Sequence, residues 1–303
     1  MRIFVTGASG WIGSALVPEL LEAGHQVTGL ARSDSSAAAL TAAGADVVRG
    51  TVDDLEVMAG AAAEADGVVH LAFKHDIAFT GDFQGAAEAD RRAVDALAEP
   101  LAGTDRPFVL ASGLAGLKPG QVASERDRPT VDGSAMSIRA STSLAVIALA
   151  ERGVRSSVVR LAPTCHGEGD HGFVASLVGV AREKGVSGYI GDGTNRWPAV
   201  HRLDAARLFR LAVEKAPAGS VLHGVAEEGV AIRDVAEVIG RHLDVPVTSV
   251  TPEAAPGHFT WLSGFLGLDA PASNTLTRDL LDWRPEQPGL LEDLEKGHYF
   301  HGA

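Results

Sequence analysis

The chain has 303 residues, 46% of them hydrophobic, which allows one large α/β domain or one and a half conventional domains with a sizeable core. A formal charge of −13 argues against nonspecific nucleic-acid binding, which needs a basic face. Cys165 is the only cysteine, so an intramolecular disulfide and a cysteine metal cluster are excluded, and no metal site is expected. No charged leader with a long apolar run opens the chain, and no stretch reaches the length of a membrane span. A soluble cytoplasmic protein is the expectation.

Ile3, Phe4 and Val5 read as a short buried strand. Further strands are expected at Gln26–Ala31, Asp46–Arg49, Gly67–Phe73, Pro107–Ser112 and Ser156–Leu161. Ala-rich helical stretches lie between them at Ser14–Ala23, Ser35–Ala43, Leu55–Ala65, Ala86–Leu101 and Ser137–Glu151. This alternation predicts a doubly wound parallel sheet with right-handed crossovers and a ligand crevice at the carboxyl ends of the strands. The second half is less regular. His171–Lys184, Leu203–Lys215 and Ile232–His242 look helical, and Val186–Ile190 looks like a strand. Thr251–Ala272 holds three prolines together with His258, Phe259, Trp261 and Phe265, and reads as a lid.

Gly7, Gly10 and Gly13 follow the first strand with Gly-x-x-Gly-x-x-Gly spacing and precede an apolar helix. Strand, glycine turn and helix together point to dinucleotide binding. Gly7 permits the tight turn, Gly10 lets the backbone approach a pyrophosphate, and Gly13 lets the helix pack on the strand. The phosphates would sit on N–H groups at the helix N-terminus, among Ser9, Trp11 and Ile12.

Thr6-Gly-Ala-Ser-Gly-Trp-Ile-Gly13, His70-Leu-Ala72, Arg160-Leu-Ala-Pro-Thr-Cys-His-Gly167 and Gly191-Asp-Gly through Val200-His201 with Asp204-Ala205 occur in the order of a known pattern. It resembles the extended short-chain dehydrogenase/reductase superfamily, whose NAD-dependent epimerase/dehydratase members carry a C-terminal substrate lobe. The resemblance implies a Rossmann-type α/β fold. Residues 1–164 would bind the dinucleotide, completed by about 186–222. Residues 165–185 and 223–303 would form the substrate-binding lobe and lid.

The departures are as informative. The superfamily places a Tyr-x-x-x-Lys pair on the helix before the sixth strand. This chain has two tyrosines, Tyr189 and Tyr299, and neither lies there. Counting back from Arg160 puts the lysine position near Arg139 and the tyrosine position near Ala135. Gly113 takes the slot of the usual catalytic Ser/Thr, with Ser112 beside it. The pattern resembles an atypical branch that binds a nicotinamide cofactor without the usual pair. Leu71, Ala72, Phe73, Ala111, Arg139 and Pro163 would then line the cofactor, and Thr51 and Val52 would flank the adenine.

The second strand ends Ala31-Arg32-Ser33, without the acidic residue that binds a ribose 2′-hydroxyl in NAD enzymes. Arg32 offers a planar fork of donors for a 2′-phosphate and Ser33 adds a hydroxyl, so NADP(H) is expected. Guanidinium does not deprotonate near neutrality, so Arg139 is suited to the cofactor ribose and not to acid catalysis. Ser112, Lys74, His75 and His166 lie at strand ends, and the histidines have the better intrinsic pKa for an acid. The catalytic candidates are Ser112, Arg139, His75 and His166. Trp197 stands near a position where nucleotide-sugar epimerases carry a diphosphate-binding arginine, and favours an apolar or cyclic substrate. Lys74, Gly113, Trp197, Phe173 and Trp261 are the substrate-binding candidates.

The expected function is an NADP(H)-dependent reductase of a small apolar or cyclic carbonyl, imine or related substrate. A noncatalytic NADP-binding sensor and a sugar epimerase or dehydratase are the alternatives. The helix near Ser137–Glu151 is apolar on more than one face, which suggests a homodimer contact.

Overall fold

The computed structural model describes residues 1–78, 81–114, 117–133 and 135–301. The first half runs β1 (Arg2–Thr6), α1 (Gly13–Glu22), β2 (Gln26–Ala31), α2 (Asp34–Ala42), β3 (Asp46–Arg49), α3 (Leu55–Glu64), β4 (Gly67–His70), α4 (His75–Ala78), α5 (Phe83–Ala98), β5 (Pro107–Gly113), α6 (Ala135–Ala148) and β6 (Arg155–Leu161). The second half continues with β7 (Thr164–His166), α7 (Phe173–Lys184), β8 (Ser187–Ile190), β9 (Arg196–His201), α8 (Arg202–Lys215), β10 (Ser220–Gly224), β11 (Glu227–Ala231), α9 (Ile232–Leu243) and β12 (Val247–Val250). Short helices α10 (Ala255–Phe259), α11 (Ser263–Leu266), α12 (Thr275–Leu281) and α13 (Leu290–Glu295) follow.

Seven strands form one parallel sheet in the order β10-β6-β5-β4-β1-β2-β3. A parallel sheet is covered by helices on both faces, which is why its central strands read as continuous apolar runs. In β1, Ile3 and Val5 enter one core with Leu16 and Leu20 of α1 and Phe209 of α8. Phe4 points the other way, into a core with Met58 of α3, Leu97 of α5 and Val146 of α6. The order of strands reverses between β1 and β4, so a crevice opens above their carboxyl ends.

Two boundaries differ from the sequence pattern for physical reasons. β4 stops at His70 instead of Phe73, because the Thr6 hydroxyl accepts the Ala72 amide at 3.3 Å and draws the backbone out of the ladder. α5 begins at Phe83, before Ala86, because the Asp82 carboxylate caps the Gly85 amide at 2.8 Å.

Residues 186–222 divide between the two halves. β8 and β9 join small sheets ordered β12-β8 and β11-β9-β7, whereas α8 and β10 complete the large sheet. The second lobe has its own core of Val174, Trp197, Ile232, Val238, Phe259, Leu262 and Leu290. The lid stretch folds as α10 and α11 on this core. Among the described residues no helix is long and apolar enough to cross a membrane.

Asp204 ties the C-terminal segment to α8. Its carboxylate accepts the Glu286 amide at 2.9 Å and the Gln287 amide at 3.0 Å, and its backbone carbonyl accepts the Trp283 indole N–H at 3.1 Å. Asp204→Ala leaves two amides without their acceptor and should lower unfolding free energy by about 1–3 kcal/mol. Urea unfolding of variant and parent checks this, and an unchanged midpoint would refute it.

Candidate active site

The glycine turn is as tight as its spacing implies. Gly7 has φ of +67°, and a Cβ on it would lie 2.8 Å from the Ala72 nitrogen. A Cβ on Gly13 would lie 2.1 Å from the Gly7 carbonyl oxygen, so no larger residue fits between α1 and β1. Gly10 is exposed, with only the Gly7 carbonyl near its absent Cβ. Ser9 is exposed beside it, and Trp11 and Ile12 are half-buried. This bare backbone at the start of α1 fits a pyrophosphate. Trp11 is fixed from the other lobe: its indole N–H donates to the Cys165 carbonyl at 2.9 Å, and the Arg202 guanidinium lies 4.5 Å from its ring.

A buried polar chain runs beneath this turn. The Thr6 hydroxyl and His70 Nδ1 are 2.6 Å apart, and His70 Nε2 lies 3.3 Å from an Asp90 carboxylate oxygen. Asp90 is 6% exposed on the inward face of α5, between Ala86 and Ala93. Its negative charge acts on Arg139 of α6, whose pKa is lowered by burial and supported by Asp90. The Arg139 guanidinium lies 3.8 Å over the Phe73 ring. Ser112 stands at the end of β5, its hydroxyl 2.8 Å from the buried Ser143 hydroxyl, and Ser143 donates to the Arg139 carbonyl at 3.3 Å. Gly113 is exposed and a Cβ there would meet only open space.

The structure therefore brings Ser112 and Arg139 together through Ser143, one helical turn beyond Arg139. His75 joins them through Phe73, its ring 5.0 Å away edge-on. Burial, and then the Arg139 charge, lower the His75 pKa to about 4. A group that is neutral at pH 7 has little proton to give as an acid.

His166 has other partners. It is 1% exposed, its Nδ1 lies 3.0 Å from Asp293, and its ring is 5.4 Å from that of His201. The tyrosines belong to the second lobe. The Tyr299 hydroxyl donates to Asp170 at 3.0 Å and accepts the Gly167 amide at 3.1 Å, and burial raises its pKa. Tyr189 lies on β8 beneath Arg233.

At the other end of the crevice, Arg32 is exposed and lies 3.3 Å from Asp76. The Ser33 hydroxyl caps α2 by accepting the Ser36 amide at 3.1 Å. Arg49 reaches across from β3 and donates to the Ser33 carbonyl and the Asp34 carboxylate, both at 2.6 Å. Thr51 is tied to Asp54, and Val52 packs on the core beneath. Lys74, expected at the substrate, instead pairs with Asp53 at 2.5 Å on the β3 side. Leu71, Ala72, Phe73, Ala111 and Pro163 are half-buried at the strand ends. Trp197 is 2% exposed with its indole N–H donating to the Leu268 carbonyl at 3.1 Å, so it backs the aromatic cluster and does not face a ligand. Phe173 packs on it at 5.3 Å, and Trp261 lies 5.5 Å beyond Phe173.

Thr6, Asp90, Ser143 and Arg49 were not singled out by the sequence. A carboxylate on the alanine stripe of α5 was the available signal for Asp90. His75, His201 and His223 all have pKa values lowered to about 4, chiefly by burial. Each lies below the ordinary value of 6.5, so the folded chain binds fewer protons than the unfolded chain between these limits. Stability should be full above pH 6.5 and fall as pH drops toward 4. Melting temperatures across pH 4–8 test this, with His75→Gln expected to flatten the fall. A melting temperature constant down to pH 4.5 would contradict it.

The family model described as the NAD dependent epimerase/dehydratase family matches residues 3–223. Uncharacterized protein C2A9.02 of Schizosaccharomyces pombe is 48% identical, over 99% of this chain and 100% of its own. Uncharacterized protein YLL056C of Saccharomyces cerevisiae is 44% identical, over 98% of this chain and 99% of its own. The solved structure of DesIV, a dTDP-glucose 4,6-dehydratase from Streptomyces venezuelae with NAD and TYD bound, superposes with a TM-score of 0.78 at 21% identity. That superposition covers 98% of this chain and 96% of the other, and shows a shared fold. The glycine turn, the seven-stranded sheet and these matches place the chain in the NAD-dependent epimerase/dehydratase family.

Proposed function

We propose that this chain is an NADP(H)-dependent reductase of a small apolar or cyclic carbonyl, imine or related substrate, working in the cytoplasm without a catalytic tyrosine. The observation that carries the reading is the cluster of Arg139 over Phe73 with the Ser112–Ser143 hydroxyl pair beside it. Arg139 holds the cofactor ribose, and the bound NADPH supplies a hydride. When the Ser143 hydroxyl turns its hydrogen from the Arg139 carbonyl, 3.3 Å away, to Ser112, the Ser112 hydroxyl is free to donate to the substrate oxygen or nitrogen, and solvent supplies the proton. Iminium substrates need no proton at all.

The cofactor preference rests on charge. Arg32 and Arg49 flank the hydroxyl-rich start of α2, where Ser33, Ser35 and Ser36 lie within hydrogen-bond reach of one another. Guanidinium groups and hydroxyls suit a ribose 2′-phosphate. The ion pairs Arg32–Asp76 and Arg49–Asp34 are exposed and cheap to rearrange. Arg32→Ala should weaken NADP binding roughly 10- to 100-fold, because a charge-assisted contact is lost, and leave NAD binding nearly unchanged. Titration calorimetry with both dinucleotides decides it, and equal losses would reject the phosphate role.

Turnover tests the catalytic assignment. Ser112→Ala should cut kcat by roughly 100-fold with cofactor Kd unchanged, as removal of a preorganised donor does. Arg139→Ala should raise cofactor Kd and lower kcat/KM together. A larger kcat loss in Tyr299→Phe than in Ser112→Ala would overturn the assignment. Tight NADPH binding without oxidation by ketones, aldehydes, imines or activated alkenes would instead favour the sensor reading, which the missing tyrosine motivates.

A further inference from the structure

Trp261 is an exposed aromatic of the second lobe. It is 43% exposed, although it sits between two anchors that are all but fully buried, Phe259 at 1% and Leu262 at 0%. The backbone is bent to achieve this. Thr260, a β-branched residue, has φ of +52° and ψ of −125°, a conformation that favours glycine. Such conformations persist where the surroundings over-determine them, and they cluster at ligand clamps. Here the buried neighbours on either side fix the chain, and the Ser263 hydroxyl donates to the Thr260 carbonyl at 2.7 Å. A tryptophan that served only the core would not need this bend.

The exposed ring faces other rings. Phe173 lies 5.5 Å from Trp261 and 5.6 Å from Phe265, and Trp261 lies 6.3 Å from Phe265. Phe173 and Phe265 are half-buried, and Trp197 closes the rear. The cluster is continuous with the nucleotide turn. His171, two residues before Phe173, meets Trp11 edge-on at 5.7 Å.

Charge narrows what can stack here. Arg196, the residue before Trp197 on β9, is held by Asp269 through its backbone N–H at 2.7 Å, its Nε at 3.1 Å and its Nη2 at 2.9 Å. The pair is neutral as a unit, so it presents no net positive charge to an anion. The whole chain carries −13, which further disfavours an anionic ligand.

We infer that Phe173, Trp261 and Phe265 form a stacking site for a flat, uncharged aromatic ring, with Trp261 as its specificity-determining wall. The inference deepens the reductase reading by naming the substrate class, and rests on that reading only for turnover. Ring binding stands apart from hydride transfer.

The test uses the full chain saturated with NADP+, and titration calorimetry with 2-naphthamide and 2-naphthoate. The neutral amide should bind at least about tenfold more tightly than the carboxylate of the same shape. Trp261→Ala should weaken amide binding about tenfold, and Trp261→Phe should retain most of it. Neither substitution should change the NADP+ Kd. Thr260→Gly relieves the backbone bend, so it should preserve melting temperature while weakening the amide several-fold. Equal binding of amide and carboxylate, or amide binding indifferent to Trp261→Ala, would overturn the inference. A kinetic arm compares benzaldehyde with cyclohexanecarbaldehyde. Trp261→Ala should lower kcat/KM for the aromatic aldehyde selectively. Amide binding as described, with neither aldehyde reduced, would fail the reductase reading and leave the ring site supported.

Discussion

The register between β1 and β4 is the constraint on which the crevice depends. It sets Thr6 opposite His70 and leaves Gly7 to turn directly beneath Ala72. A Cβ on Gly7 would lie only 2.8 Å from the Ala72 nitrogen, so the close approach of the two segments admits no residue larger than glycine. That contact ends both strands at one level. It also fixes where the bare backbone of the glycine turn and the Leu71–Phe73 segment face each other. The Thr6 hydroxyl serves both sides, contacting His70 Nδ1 and accepting the Ala72 amide. The nucleotide-binding turn and the polar chain beneath it thus share one residue.

From Thr6 the chain of contacts leads to the site's charge balance. A guanidinium enclosed by the fold is desolvated, and burial alone disfavours its charge. Asp90 offsets that cost from α5, and the Phe73 ring offers its negative face at 3.8 Å. His75 is held neutral first by its own burial and then by this fixed cation. The burial that disfavours charge on Arg139 thus also removes His75 as a proton donor. The polar groups left beside the strand ends are hydroxyls, Ser112 and Ser143, which need no charge to orient an oxygen.

Much of this was legible in the sequence, for reasons that differ by residue. β2 and β3 were found to the residue because continuous apolar runs bounded by turns have one reading in a parallel sheet. Gly7 and Gly13 were legible because their roles are steric and local. Arg139 was reached by counting back from Arg160 on β6, and the structure sets it one helical turn before Ser143. Ser143 was not, since its meaning depends on Ser112, 31 residues away on another element. His166 looked available at a strand end, but its partner Asp293 comes from 127 residues further on and buries it. Trp197 read as a wall of the ligand site. Whether an aromatic faces a cavity or backs one is decided by lobe packing, and here Leu268 and Phe173 turn it inward.

The second lobe extends the same logic across the crevice. β7 leaves the large sheet's last crossover and enters a small sheet with β9, so residues 164–173 lie on the border of the two halves. Each end of this border segment is held differently. At its start the Cys165 carbonyl accepts from Trp11 of the glycine turn. In the middle, Tyr299 ties Gly167 and Asp170 to the C-terminal tail. At its end, Phe173 passes into the aromatic cluster with Trp261. Tyr299 is thus a half-buried strut, its hydroxyl holding Gly167 and Asp170 on the border between the two halves.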